Sequence, residues 1–104
     1  MLLELRELQT NTKEYLGKEI EINGWVKKIR SQKNFGFIEL NDGTFFTGIQ
    51  VVFDEALENF EEISKLTIST SVKVTGIVVE SLGKGQDYEI KATKISVYQK
   101  ADSD

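Results

Sequence analysis

Hydrophobic and polar residues alternate along most of this chain with the period of two that is typical of half-buried β-strands. The pattern predicts five strands, over residues 19–30, 35–40, 46–53, 71–79 and 88–98. The Asp42-Gly43 pair between the second and third strands indicates a hairpin turn. Gly24 lies where the long first strand could bend to serve two sides of a barrel, and a shift of apolar parity predicts a bulge near Thr93 and Lys94 in the last.

Two other segments have a helical pattern. Residues 54–66 carry apolar side chains three positions apart and many acidic residues in the first turns, which predicts a short helix with Asp54 as its N-cap. In the first eighteen residues, Leu3, Leu5 and Leu8 are predicted to pad the barrel. Thr12 is predicted to cap a helical turn over residues 13–16.

The order of these elements indicates the fold. Three strands, a helix and two more strands predict an all-β protein of the oligonucleotide-binding (OB) class, a five-stranded Greek-key barrel that hides its edges by closure. An SH3-like barrel is the rival, although it would not normally place a helix between strands three and four. A chain of 104 residues suits one domain.

Composition excludes several kinds of chemistry. The chain has no cysteine and no histidine, so thiolate sites, disulfides and the commonest general base are absent. We therefore expect no catalysis by this chain alone, no metal and no cofactor. No stretch has the apolar length of a membrane span, and residues 1–7 are too charged for a signal peptide, which predicts a cytoplasmic protein without membrane contact. A net charge of −4 means that any nucleic-acid site must be local.

Strand parity identifies candidate binding residues. In the second strand Ile38 and Leu40 point one way, while Phe35, Phe37 and Glu39 point the other. If the aliphatic pair fills the barrel, both rings lie on its outer surface, where single-strand-binding proteins stack bases. The alternative is that one or both rings cover the core at an end of the barrel.

Polar candidates lie on the neighbouring strands. Parity turns Gln50 outward, and its amide offers the donors and the acceptor that reading the edge of a base requires. Lys27, Lys28, Arg30 and Lys33 fall within seven residues and predict a positive rim that holds phosphates. Taken alone, these residues are equally compatible with an ordinary solvated surface.

Several of these motifs stand together in the order found in class IIb aminoacyl-tRNA synthetases. They are Gly24-Trp25-Val26, Arg30, residues 37–44 and Ile49-Gln50-Val51-Val52. The chain resembles their N-terminal anticodon-binding domain over nearly its whole length. Aspartyl enzymes typically carry Arg-Asp in place of Asn41-Asp42-Gly43, and the Asn-Asp-Gly-Thr-Phe-Phe run is similar to asparaginyl-tRNA synthetases.

The resemblance implies a role for individual residues. It implies that Phe37 stacks on an anticodon base, that Gln50 reads the central uridine and that Arg30 lies at the anticodon. Glu89 aligns with a glutamate that contributes to recognition of the first anticodon base, whereas Phe35 is a neighbour of the matched aromatic. The implied partner is the anticodon loop of tRNA(Asn), with anticodon G-U-U.

The resemblance also implies a domain organisation. Residues 1–18 form an extension, 19–98 the OB domain and 99–104 the start of a linker toward a catalytic domain whose signatures are absent here. The parent enzyme would be an ATP-dependent ligase and a homodimer through that domain. The alternatives are the anticodon-binding domain of an aspartyl-type synthetase, a stand-alone OB-fold binder of single-stranded nucleic acid, and a protein-interaction barrel.

Overall fold

The computed structural model describes residues 2–45, 48–81 and 88–99, with only the backbone of Gln99, and these residues form six strands and three short helices. The strands are β1 (Leu2–Leu3), β2 (Glu19–Ser31), β3 (Phe35–Asn41), β4 (Ile49–Asp54), β5 (Ser71–Glu80) and β6 (Tyr88–Gln99). The helices are α1 (Leu5–Thr10), α2 (Thr12–Tyr15) and α3 (Phe60–Ser64).

Five strands close into a barrel in the order β2, β3, β4, β6, β5 and back to β2. All neighbouring pairs are antiparallel except β4 and β6, which run parallel and complete the circle. The two-residue β1 adds to β2 from outside in parallel. The predicted all-β, five-stranded OB barrel with a helix between its third and fourth strands is therefore confirmed.

The first barrel strand, β2, is long enough to serve two sides of the barrel. Residues up to Trp25 pair with β5, and those from Trp25 onward pair with β3. The register shifts at Lys27, so the bulge follows Gly24 rather than coinciding with it. Gly24 instead permits close approach of two strands, because a Cβ there would lie 2.5 Å from the carbonyl oxygen of Asn41. The bulge predicted in the last strand is confirmed, at Thr93.

Among the described residues, the barrel interior is a continuous aliphatic core with one buried phenylalanine, Phe53. Alternate residues of every barrel strand point into it, as period-two patterning requires. Leu5 and Leu8 of α1 are also fully buried, whereas Leu3 only packs against the core. The barrel strands supply Ile20, Ile22, Val26, Ile38, Leu40, Ile49, Val51, Phe53, Val72, Val74, Val78, Ile90 and Ile95.

The turn after β3 binds the N-terminal segment to the barrel. Asp42 accepts hydrogen bonds on one carboxylate oxygen from the amide and hydroxyl of Thr44, at 2.9 and 2.7 Å. Its other oxygen accepts a hydrogen bond from the backbone amide of Leu5, at the start of α1, at 2.7 Å. Thr44 in turn accepts the amide of Arg6 at 2.9 Å. Gly43 has a φ of 83°, which favours glycine. The turn thus caps a helix that lies far away in sequence.

Both predicted helix caps are wrong, because each side chain makes a different local hydrogen bond. Helix α3 begins at Phe60 rather than after Asp54, and the carboxylate of Asp54 accepts the amide of Ala56 in a turn. The hydroxyl of Thr12 donates back to the carbonyls of Leu8 and Gln9 instead of capping α2. Such short side chains compete with helical hydrogen bonding in this way.

The third predicted strand is only partly tested. The observed strand begins at Ile49, so the prediction is wrong for Gly48, and residues 46–47 lie outside the described part. Residues 100–104 of the predicted linker also lie outside it. Within the described residues, no helix is long and apolar enough to cross a membrane. The same part of the chain contains no group of three or more His, Cys, Asp or Glu side chains that could hold a metal ion.

Candidate nucleic-acid interface

The candidate residues lie in two rows that cross the outer face of the barrel. Cross-strand pairing aligns one row, here called the aromatic row, which consists of Arg30, Phe37, Val52 and Lys91. The adjacent row, here called the amide row, consists of Lys28, Glu39 and Gln50. Paired residues point to the same face of a sheet, so each row presents its side chains together.

The alternation that produces these rows is the predicted one. In β3, Ile38 and Leu40 are fully buried, while Phe37 and Glu39 are half-buried and Phe35 is 37% exposed. In β4, Val51 is buried and Gln50 is half-buried. The rings of Phe35 and Phe37 therefore lie on the outer surface and not in the barrel interior.

Parts of both rows form one wall of a surface concavity of about 560 Å³. Four of the predicted site residues meet there: Lys28, Arg30, Phe37 and Gln50. The rest of the lining is Lys27, Ile29, Ile38, Glu39 and Ile68. A concave, largely apolar pocket with a few convergent polar groups is the usual form of a ligand site.

Phe37 is held in this concavity by a second ring. Phe35 meets it edge-on, with 5.5 Å between ring centroids and 86° between ring planes. A contact of this geometry contributes about 0.5–1.5 kcal/mol. Phe35 does not line the concavity itself, so its ring supports the ring of Phe37 from outside.

The charge of the concavity is opposite to that of the whole chain. Lys27, Lys28 and Arg30 line it together with a single carboxylate, that of Glu39, which lies 3.7 Å from the amine of Lys27. This ion pair is solvent-accessible, with 49% of the Lys27 side chain and 26% of the Glu39 side chain exposed, and it contributes little to stability. Two cations in excess give the concavity a positive charge on a chain of net charge −4.

Besides Phe35, two predicted site residues lie outside the concavity, Lys33 and Glu89. Lys33, in the loop before β3, lines a separate depression with acidic side chains that include Glu55, Glu58 and Glu61. It is therefore separated from the rest of the predicted positive rim. Glu89 lies on β6, directly before Ile90, which pairs in parallel with Val51, the residue after Gln50.

Sequence reasoning missed three residues at this site. Lys91 joins the aromatic row only through the parallel pairing of β4 and β6, which no local pattern indicates. The bulge at Lys27 turns Lys28 and Arg30 to the outer face, and Ile29 between them pairs with Ile38, packs against the core and still contributes to the lining of the concavity. Ile68 is a single aliphatic residue in the polar run from Thr67 to Thr70, and that isolation is the signal that could have identified it.

A closed OB barrel with an aromatic, amide and cationic outer face defines a class of protein, the OB-fold domains that bind nucleic acid. Residues 20–98 match the tRNA anti-codon family, whose description is "OB-fold nucleic acid binding domain". The chain belongs to this family.

Relatives with known names carry more specific descriptions. The chain is 51% identical over 100 residues to an asparagine–tRNA ligase of Alkaliphilus oremlandii and 48% identical to one of Bacillus anthracis. In each case the match covers 96% of this chain and 22% of the relative, so the chain spans about a fifth of their length.

Solved structures agree in fold. A crystal structure of asparaginyl-tRNA synthetase from Pyrococcus horikoshii, complexed with asparaginyl-adenylate, superposes with a TM-score of 0.81 at 26% identity. It covers 98% of this chain and 23% of that one.

Proposed function

We propose that this chain is the anticodon-reading domain of an asparagine–tRNA ligase and that its partner is the anticodon loop of tRNA(Asn). The observation that carries the proposal is the meeting of Phe37, Gln50, Arg30 and Lys28 in one positive concavity. The sequence comparison supports it, since two asparagine–tRNA ligases are 48% and 51% identical to this chain over 100 residues. Aminoacylation belongs to the remaining four-fifths of such a protein.

The aromatic row supplies affinity without reading sequence. Every base has an apolar face, so the ring of Phe37 can stack on whichever unpaired base enters the concavity, at about 1–3 kcal/mol. Arg30 and Lys28 lie beside the ring and can hold the phosphates of the flanking nucleotides. With three cations lining the concavity, the logarithm of affinity should fall with the logarithm of salt concentration with a slope near −2, at about −0.7 per contact.

The amide row supplies specificity. A uridine presents an N–H donor beside a carbonyl acceptor, and one orientation of the Gln50 amide matches both. The reversed amide would instead match cytidine. Glu39 is the cross-strand neighbour of Gln50. Its carboxylate attracts the NH₂ end of the amide and repels the oxygen, which makes the two orientations unequal in energy.

Titration of the chain with short RNA stem-loops tests the proposal. We expect roughly micromolar or weaker affinity for a hairpin carrying the G-U-U anticodon, since one stacked base and a few phosphates are engaged. Stem-loops with a substituted central base serve as matched controls. Equal affinities for all loops would show generic single-strand binding instead of specific readout of the anticodon. No affinity for any loop would refute a role in RNA binding.

A further inference from the structure

Ile68 is an unusual residue for the surface of a small barrel. Its side chain is 60% exposed, and it contributes to the concavity from the loop between α3 and β5, whereas the rest of the lining comes from β2, β3 and β4. An isolated aliphatic side chain on a surface needs no explanation by itself. One that lines a positive concavity together with Phe37 is placed where a base would lie.

The backbone around Ile68 is held firmly. The amide of Ser69 donates to the carbonyl of Val26 at 2.6 Å, and the amide of Val26 donates to the carbonyl of Thr70 at 2.9 Å. The Thr70 side chain is fully buried, and its hydroxyl donates to the carbonyl of Thr67 at 2.7 Å. These hydrogen bonds fix the two residues after Ile68 to β2, one residue before its bulge, and tie the carbonyl of Thr67, the residue before Ile68, to Thr70.

The same segment contains backbone strain. Ser69 has a φ of 73°, and it is the one non-glycine residue with positive φ in the described part of the chain. L-residues avoid this region because the Cβ crowds the carbonyl oxygen, and such residues persist only where the surroundings enforce them. Directly after Ile68, this conformation sets the direction of the loop as it leaves the concavity.

We propose that Ile68 is a further base-contacting residue, forming an aliphatic wall against the base that stacks on Phe37. The proposal rests on the proposed function, because it requires a base in the concavity. An aliphatic wall offers no hydrogen bonds, so it increases affinity for any base that enters and leaves discrimination to Gln50. Burying the exposed part of the side chain would favour binding through the removal of apolar surface from water.

The Ile68→Ala variant tests this contact. We expect roughly five- to tenfold weaker binding of the G-U-U stem-loop. The variant lacks about three methyl or methylene groups, which are partly covered in the free protein and would become buried against the base. Ile68→Leu should bind nearly as well as the wild-type chain, since it keeps the apolar volume. Leu2→Ala is the matched control, because Leu2 is 57% exposed but lies on β1, outside the concavity.

Abasic substitution identifies the nucleotide that Ile68 contacts. Each anticodon nucleotide is replaced in turn by an abasic site, and the position at which Phe37→Ala no longer weakens binding marks the base on the ring. Ile68→Ala should lose its effect at the same position. An effect that persists at every abasic position would place Ile68 against sugar or phosphate and overturn the proposal.

The two proposals fail in different ways. If the wild-type chain binds no stem-loop, the proposed function fails. If the wild-type chain binds and Phe37→Ala weakens binding, while Ile68→Ala and Leu2→Ala both bind as the wild-type chain does, the proposed function stands and the role of Ile68 is refuted. Melting curves of each variant verify folding, and the exposure of Ile68 predicts little change.

Discussion

Replacing Phe37 by alanine separates a binding role for this ring from a structural one. The ring is half-buried and meets Phe35 edge-on. Its removal therefore loses the burial of part of the ring surface and one contact between rings. Together these amount to about 1–2 kcal/mol of unfolding free energy. A fully buried phenylalanine would instead cost about 3–5 kcal/mol. Against RNA, the loss of one stacked base costs about 1–3 kcal/mol, which is roughly a 5- to 150-fold decrease in affinity.

Fluorescence anisotropy with a labelled stem-loop measures the affinity, and thermal melting by circular dichroism measures the stability. Tyr98→Ala is the control for removing an exposed aromatic side chain, because Tyr98 is 60% exposed and lies outside the concavity. It should leave RNA affinity unchanged. The reasoning fails if Phe37→Ala binds RNA as the wild-type chain does. It also fails if the variant loses stability on the scale of a core phenylalanine.

Three further predictions concern the amide row, the helix cap and a surface ion pair. Gln50→Ala should reduce the preference for uridine at one anticodon position in stem-loop titrations, and an unchanged preference would remove Gln50 from base reading. Asp42→Ala should lower the free energy of unfolding in urea by about 1–2 kcal/mol, because the start of α1 at Leu5 loses its acceptor, while RNA affinity stays the same. The hydrogen bond from Lys73, at 2.9 Å, holds the pKa of Glu21 below its ordinary value of 4.5, and the same bond raises the pKa of Lys73. The pair therefore stabilises the fold above pH 4.5, and this effect is lost as pH falls through the lowered pKa of Glu21. Lys73→Met should be less stable than the wild-type chain near neutral pH and equally stable in strong acid. A stability difference that persists in acid would show that the lysine acts through packing.

The barrel was predictable because its signal is local and repeated. Alternation in β3 and β4 turns alternate residues inward, and both strands have the predicted faces. That is enough to bring Phe37 and Gln50 to one surface without knowledge of how the strands pair. The shift of apolar parity after Ala92 is likewise visible in the local sequence, and the structure has a bulge at Thr93.

The errors arise where a side chain has a choice of hydrogen-bond partner. Asp54 precedes acidic residues and looks like a helix cap, yet its carboxylate accepts a hydrogen bond from the amide of Ala56 in a turn. Helix α3 therefore begins later than predicted, at Phe60. Asp42 looks like a simple turn residue, and its bond to Leu5 across 37 positions of sequence could not be foreseen from its neighbours. Lys91 is a similar case, because it reaches the aromatic row only when the barrel closes.

The aromatic and amide rows have a fixed spacing. Residues of the same face are two apart on a strand, so the aromatic and amide rows are separated by about 6.8 Å, since each strand residue advances about 3.4 Å. Neighbouring bases in a stacked helix are only about 3.4 Å apart. Two adjacent nucleotides that touch one row each must therefore be stretched and their bases pulled off one another, so stiffening the loop by stronger base stacking should weaken their capture.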